Sequence, residues 1–207
     1  MKDFFEENDD ESDYINNEIV NDLLKEEFGL CFQCNRPNTG ENWCKVCNSE
    51  KFRQDFDKWT SGNENIDKFI QEAQLNANNN FELLEWIPYN RLRNIKLPAQ
   101  GEFVYYAIWL DGWIDHLDYE KQEWRRIFNK LEQAYNIAND PNIRNPLQSN
   151  ENYGQPVALK NLSDSSDINY DFLNEYKEWW SNDSYLIPLL GITQDPDKSN
   201  YMIVTPW

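Results

Sequence analysis

Apolar residues recur at helical spacing in the first third of the chain and gather into short strand-like stretches in the remainder. Residues 1–14 are polar and are predicted to be unstructured, whereas 15–28 places an apolar side chain every three or four residues and precedes Gly29. This spacing predicts a short helix that ends at the glycine. Two further helices are predicted, one over 52–59 with Ser49 as a possible cap and one over 66–73.

From Leu92 onward the segments are short and rich in β-branched and aromatic residues, which is typical of strands. An insertion at about 111–155 interrupts them; within it, 124–135 has helical spacing and the Asn-rich stretch 136–153 is predicted to be loop. The predicted fold class is α+β, with a helical module followed by about five antiparallel strands and one helix over about 170–180. The predicted strands are 92–98, 103–110, 156–162, 186–193 and 200–205.

A turn-rich stretch at 76–80 predicts a joint between the two parts. The domain organisation expected from this pattern is an acidic tail and short helix at 1–28, a cysteine-containing module at 29–80 and a sheet domain at 81–207.

Charge narrows the possible partners. The formal net charge is -18, and eleven acids face only two lysines in the first 28 residues. Such a block is typically a solvated tail, and the deficit of basic residues disfavours nucleic acids and anionic membrane surfaces as partners. No stretch approaches the roughly 18 consecutive apolar residues of a membrane span, so a soluble, cytoplasmic protein is expected.

The four cysteines form two closely spaced pairs, Cys31 with Cys34 and Cys44 with Cys47, separated by nine residues. Two such pairs can place four thiolates around one tetrahedral Zn²⁺ ion. Because four thiolates leave no open coordination position, the expected role of the zinc is structural. Two disulfides or a redox-active pair are the alternatives. The single histidine, His116, lies far along the chain from the cysteines and is interpreted as a surface residue.

An ordered series of motifs resembles an expanded fungal family of tyrosine-kinase-like protein kinases that carry a small four-cysteine element before the kinase domain. The resemblance covers the cysteine region and most of the chain from about residue 90. The motifs are Phe28-Gly-Leu-Cys-Phe-Gln-Cys34, Asn42-Trp-Cys-Lys-Val-Cys47, Ala107-Ile-Trp-Leu-Asp-Gly112, Val157-Ala-Leu-Lys160, Gly191-Ile-Thr-Gln-Asp-Pro196 and Tyr201-Met-Ile-Val204.

This resemblance implies a kinase-like N-terminal lobe with an ATP site. Lys160 would contact the nucleotide phosphates and Glu175 would pair with it from the predicted helix, although a surface salt bridge is the alternative role for that pair. Ala158 would lie over the adenine and Thr205 would guard the back of its pocket. Gly101 and Val104 would belong to the glycine-rich hairpin that covers the phosphates.

The chain departs from the kinase pattern at that hairpin, where Gly101 is the only glycine and Glu102 adds a negative charge. Pro206 has no N–H to offer an adenine. The chain stops at Trp207, before the position of a catalytic loop or a magnesium-binding DFG segment. We therefore expect weak or absent binding of ATP and Mg²⁺ and no phosphotransferase activity from this polypeptide.

Two hypotheses for function remain at this point. The first is an inactive kinase-family polypeptide that consists of a zinc knuckle and a small lobe. The second is a protein-binding module or pseudokinase-like regulator that recruits other proteins or kinases through an exposed face of the lobe. A zinc-ribbon protein that binds nucleic acid is disfavoured by the charge.

Overall fold

The computed structural model describes residues 9–96, 104–131, 142–162, 168, 173 and 188–207. It is an α+β structure in which most strand pairs are antiparallel, as the sequence predicts. The helices are α1 (Asp9–Phe28), α2 (Lys45–Arg53) and α3 (Glu64–Asn76). The strands are β1 (Glu85–Trp86), β2 (Leu92–Lys96), β3 (Val104–Trp109), β4 (Trp113–Asp118), β5 (Glu123–Ile127), β6 (Asn129–Lys130), β7 (Ile143–Arg144), β8 (Tyr153–Asn161), β9 (Gly191–Gln194) and β10 (Tyr201–Pro206).

The first helix is longer than the sequence predicts. It ends at Phe28 as expected, and Gly29 follows with a φ of 72°, a left-handed conformation that glycine adopts without strain. Its beginning differs, since residues 9–14 are helical and not unstructured.

The second helix both starts and ends earlier than the predicted range of 52–59. It begins at Lys45, directly after Cys44, and it ends at Arg53. Ser49 is therefore inside the helix, where its hydroxyl donates to the Val46 carbonyl oxygen at 3.0 Å, and the prediction of Ser49 as a cap is wrong. The second cysteine pair itself opens the helix, a role that the apolar pattern does not reveal.

The third helix matches its prediction and packs against the sheet. The side chain of Asn63 caps it by accepting hydrogen bonds from the N–H groups of Asn65 and Ile66. Its apolar face contributes to a core shared with β9 and β10 and with the described residues between β8 and β9. This core contains Ile66, Phe69, Ile70, Ala73, Leu84, Leu162, Ile168, Leu173, Leu189, Ile192, Tyr201 and Ile203.

One sheet of eight strands dominates the second half of the chain. Its order is β1-β9-β10-β8-β3-β2-β7, with β6 pairing separately with β8. The strands that correspond to the five predicted segments, β2, β3, β8, β9 and β10, lie next to one another and pair antiparallel. The pair of β1 with β9 is parallel.

The two faces of β8 have different surroundings. Val157 and Leu159 are fully buried in a second core on one face of the sheet. Ala158 is half-buried and Lys160 is exposed on the opposite face, the same face to which α3 contributes. The predicted helix over 170–180 lies outside the described residues except for Leu173, which is helical and buried.

A separate two-stranded hairpin occupies the start of the predicted insertion. Strands β4 and β5 pair antiparallel and are joined by a tight turn over 119–122. In this turn the Asp118 side chain accepts a hydrogen bond from the Lys121 N–H at 3.1 Å, and Gln122 has a φ of 58°. The prediction of a helix starting at Trp124 is therefore wrong for the described residues, because pairing with β4 extends this segment as a strand.

An ion pair fastens the hairpin to the edge of the large sheet. Arg126 on β5 donates to both carboxylate oxygens of Glu85 on β1, at 2.6 and 3.3 Å, and to the Gly112 carbonyl oxygen at 2.7 Å. Burial raises the pKa of Glu85, and the Arg126 guanidinium opposes that rise. The cation that pairs with this buried carboxylate thus lies on another element.

Candidate metal centre

The first cysteine pair lies in a tight loop directly after α1. The Cys31 N–H donates to the Arg36 carbonyl oxygen at 2.7 Å, and the Asn35 N–H donates back to the Cys31 carbonyl oxygen at 2.8 Å. Asn35 adopts a φ of 58°, so the chain reverses immediately after Cys34. The thiols of Cys31 and Cys34 both belong to one group of four sulfur atoms. They therefore lie on the same side of the loop.

The second pair is placed by a loop and the helix that follows it. A bridge between Gly40 and Trp43 closes the loop, and Cys44 occupies the N-cap position of α2. Cys47 lies in the first turn of the helix. Because residues three apart on a helix share a face, the thiols of Cys44 and Cys47 are neighbours.

The four sulfur atoms lie close enough together to surround one metal ion. All four Sγ atoms of Cys31, Cys34, Cys44 and Cys47 lie within 4.8 Å of one another. The Sγ atoms of Cys31 and Cys47 are 3.8 Å apart, and those of Cys34 and Cys44 are 3.6 Å apart. Ligands placed about 2.3 Å from a central zinc define a tetrahedron with edges of about 3.8 Å. The group could therefore hold a metal such as zinc.

The same distances bear on the alternatives to a metal. All four cysteines are free, and the contacts of 3.6 and 3.8 Å each join a sulfur atom of one pair to a sulfur atom of the other. A disulfide needs an S–S distance of about 2.05 Å, which neither contact approaches. The arrangement therefore favours four converging thiols over two disulfides.

The electrostatics of the group favour a bound cation. Burial would raise the pKa of Cys31, but the Cys34 N–H and the Tyr119 hydroxyl stabilise its thiolate and lower that pKa to about 7. Burial raises the pKa of Cys44 to about 11, and burial with the adjacent Cys34 sulfur raises that of Cys47 further. Four thiolates this close repel one another, and a divalent ion removes the penalty by supplying positive charge.

The hairpin supplies a polar contact to one cysteine. The hydroxyl of Tyr119, in the turn between β4 and β5, lies 3.6 Å from Cys31 Sγ. Burial and the Cys31 sulfur raise the pKa of Tyr119, so the phenol keeps its proton. A metal-bound thiolate has no proton to donate, so the Tyr119 hydroxyl would be the donor in a loaded site.

An aromatic cluster joins the cysteine loops to the same hairpin. Trp124 on β5 stacks on Phe52 of α2 with ring centroids 4.4 Å apart, and on Trp43 at 6.1 Å. Trp43 is buried, and its indole N–H donates to the Ala77 carbonyl oxygen at 3.0 Å. These rings and Ile114 form a third core that lies between the helices and the hairpin.

His116 lies on β4 beside the cysteine loops in space, although it is far from them along the chain. It is half-buried, and its Nδ1 lies 2.9 Å from an Asp115 carboxylate oxygen. It lines a cleft of about 400 Å³ with Phe32 and Tyr119 among other residues of the loop and hairpin. The described group of possible metal ligands consists of the four cysteines and does not include His116.

Four of the six residues assigned to the ATP site lie on adjacent strands. Val104 on β3 is paired with Lys160 on β8, and Ala158 on β8 is paired with Thr205 on β10. Directly paired residues share a face of the sheet, so the four side chains lie on the face opposite Val157 and Leu159. Gly101 and Glu175 lie outside the described residues.

An aromatic pair lies on the same face beside Ala158. Tyr106 is the β3 residue paired with Ala158, and its ring meets that of Trp207 edge to face with centroids 5.0 Å apart. The Trp207 N–H donates to the Pro156 carbonyl oxygen at 3.4 Å, which holds the residue after β10 against β8. The surface next to Ala158 is thus occupied in part by protein.

Sequence reasoning predicted the four cysteines and missed the residues that surround them. Tyr119, Trp124 and Arg126 all belong to the hairpin, and the helical interpretation of 124–135 concealed the roles of Trp124 and Arg126. A usable signal was the polar turn 119–122 between two aromatic-containing segments, which is a pattern typical of hairpins.

Two further findings concern membrane spans and relatives of this chain. No helix of the described residues is both long and apolar enough to cross a membrane. Searches of protein-family models and of curated proteins find no match to the chain.

Proposed function

We propose that the four cysteines bind one structural Zn²⁺ ion that holds the cysteine loops and the β4–β5 hairpin together. The observation that carries this proposal is the convergence of the four sulfur atoms, all within 4.8 Å of one another, with contacts of 3.6 and 3.8 Å between the two pairs. Four thiolates fill the coordination shell of zinc, so the ion would stabilise structure and would not bind a substrate. Zinc sites of this kind contribute on the order of 10 kcal/mol to the folding of small modules.

The metal content of the purified chain tests this proposal. Protein prepared without chelators should contain about one zinc per chain by elemental analysis, and cobalt substitution should give intense sulfur-to-metal charge-transfer absorption. A Cys44→Ser variant should lose metal, whereas a Ser49→Ala variant in the same helix should retain it. Metal-free protein with a native fold, or protein with two disulfides, would contradict the proposal.

We further propose that the sheet domain is related to the small lobe of protein kinases and has a degenerate nucleotide site. The support is the register that places Val104, Lys160, Ala158 and Thr205 on one face of three adjacent strands. Several features weaken a nucleotide site at this face: Tyr106 and Trp207 pack beside Ala158, and Pro206 lacks an N–H. We therefore propose a kinase-related scaffold without phosphoryl transfer at these residues.

Incubation with Mg²⁺ and labelled ATP tests the second proposal. The chain should transfer no more phosphate than its Lys160→Met variant. Because Lys160 is exposed, its replacement by methionine should not destabilise the fold. Transfer by the unmodified chain that the variant lacks would contradict the assignment of a degenerate site.

A second candidate function is recruitment of another protein, such as a full-length kinase. The observation that favours it is Phe32, which lies between the first two cysteines and is 91% exposed. Exposed large aromatic residues beside a cleft are typical of protein-binding surfaces. Light scattering with and without candidate kinases tests this function, with Phe32→Ser as the variant. A monodisperse monomer that binds none of them would count against it.

A further inference from the structure

The first helix exposes a continuous apolar stripe. Ile19, Val20 and Leu23 are 53%, 51% and 60% exposed, and they lie within about 100° of one another around the helix axis. Among the described residues, no helix or strand makes an extensive contact with α1. Because most helical stability comes from packing of an amphipathic face, an exposed stripe of this kind is a surface that a partner could cover.

The cysteine loop holds α1 in a defined position. The Asn38 side-chain amide donates to the Phe28 carbonyl oxygen at 3.1 Å, and the Asn38 N–H donates to the Gly29 carbonyl oxygen at 3.0 Å. These contacts satisfy carbonyl groups at the end of the helix immediately before Cys31. The helix therefore projects from the candidate metal centre as an attached element.

The charges around the stripe specify the kind of partner. Within α1, eight acidic residues face a single basic residue, Lys25. Glu18, Asp22 and Glu26 recur every four residues and form an acidic row beside Ile19 and Leu23. Such a row repels a second copy of α1 and an anionic membrane, and it attracts a helix that carries lysine or arginine beside its own apolar face.

We propose that α1 packs its Ile19–Val20–Leu23 stripe against a basic amphipathic helix of another protein, with the acidic row paired to lysine or arginine side chains. The inference rests on the protein-binding candidate function and is independent of any relation to kinases. It assigns the contact to α1, whereas Phe32 offers a separate surface on the cysteine loop.

A synthetic helical peptide provides the probe. It carries leucine at the a and d positions of successive heptads and lysine at e and g, and the control peptide carries glutamate at e and g. Fluorescence anisotropy with the full zinc-loaded chain should show binding of the lysine peptide only, and the binding should weaken as salt rises. An Ile19→Ser/Leu23→Ser variant should weaken binding by about tenfold or more.

The matched control is Asn17→Ser/Asn21→Ser, which changes two residues away from the stripe. Serine has nearly the same helix propensity as isoleucine and asparagine and a slightly lower one than leucine, so circular dichroism should show nearly equal helix content in both variants. The control variant should bind the lysine peptide like the unmodified chain.

Any of three results would overturn the inference: no binding of the lysine peptide, equally strong binding of the glutamate peptide, or an equal loss of affinity in the stripe variant and the control variant. Self-association that the Ile19→Ser/Leu23→Ser variant abolishes would assign the stripe to a second copy. Binding of a protein partner that is lost in Phe32→Ser but kept in the stripe variant would leave the protein-binding function standing and reject α1 as its site.

Discussion

Replacement of Tyr119 by phenylalanine tests whether the hairpin belongs to the metal centre. The change removes one hydroxyl, which lies 3.6 Å from Cys31 Sγ, and leaves the ring in place. The zinc-bound Cys31 thiolate would then lose a hydrogen-bond donor supplied by an element 88 residues away along the chain.

The expected loss of zinc affinity follows from the strength of that hydrogen bond. Hydrogen bonds to charged groups contribute about 1.5 to 3 kcal/mol. Tyr119 is only half-buried, so water can replace the hydroxyl in part, and the lower end of this range applies. A loss of about 1.5 kcal/mol corresponds to roughly tenfold weaker binding, which agrees with the effect of removing outer contacts to metal ligands.

Competition with a chromogenic zinc chelator at neutral pH measures the effect. Tyr153→Phe is the matched control, because Tyr153 is a 51% exposed tyrosine on β8 whose ring packs on Phe128. The Tyr119→Phe variant should show the weaker zinc affinity and the control should match the unmodified chain. Equal affinity in all three proteins would refute a role for the hairpin in the metal centre.

Three further outcomes are expected. Arg126→Met leaves Glu85 buried without its cation and should lower the free energy of unfolding by about 3 to 5 kcal/mol in urea titrations, whereas Arg125→Met at an exposed pair should cost less than about 1 kcal/mol. Burial raises the pKa of Glu85 above the ordinary value of about 4.3, so at pH 4 the carboxyl is largely protonated and needs no cation. The Arg126→Met variant should therefore lose less free energy of unfolding at pH 4 than at pH 7, and an equal loss at both pH values would contradict the role of the ion pair. Gly112→Ala would place a Cβ 1.9 Å from the Ile127 carbonyl oxygen at a φ of 63°, and should lower the melting temperature; an unchanged melting temperature would show that the hairpin adjusts freely. Chelation of zinc should change tryptophan fluorescence, because two indole rings lie between the cysteine loops and the hairpin, and no change would contradict that coupling.

Local patterns in the sequence predicted the parts of the fold that local interactions determine. The cysteine pairs predicted a metal-binding group because each pair brings two thiols together within a few residues. The apolar spacing from Ile66 to Ala73 predicted the core face of α3. This prediction is confirmed, because Ile66, Phe69, Ile70 and Ala73 are all buried. The five main strands were predicted from β-branched and aromatic residues and differ from the observed ones mainly at their ends.

The hairpin could not be predicted in the same way, because its pattern is irregular. A bulge between Ile114 and His116 shifts the register of β4, so that Ile114 and Leu117 are both buried although they are three residues apart. This spacing resembles a helix more than the alternation of a strand. On β5 the inward residues are Trp124 and Arg126, and the partner of Arg126 is a carboxylate on a distant strand.

The contacts of the candidate site are long-range for the same reason. Tyr119 contacts Cys31 although α2, α3 and the strands β1 to β4 lie between them along the chain. A sequence pattern specifies ligands that are close along the chain, and it does not specify which hydroxyl or aromatic ring tertiary packing brings to them.

X-ray absorption at the zinc edge of the purified chain tests the central claim most directly, because it counts the ligand atoms around the metal. The account predicts a shell of four sulfur atoms at about 2.3 Å. A shell that contains nitrogen or oxygen ligands in place of sulfur, or fewer than four sulfur atoms, would contradict a four-cysteine structural zinc centre.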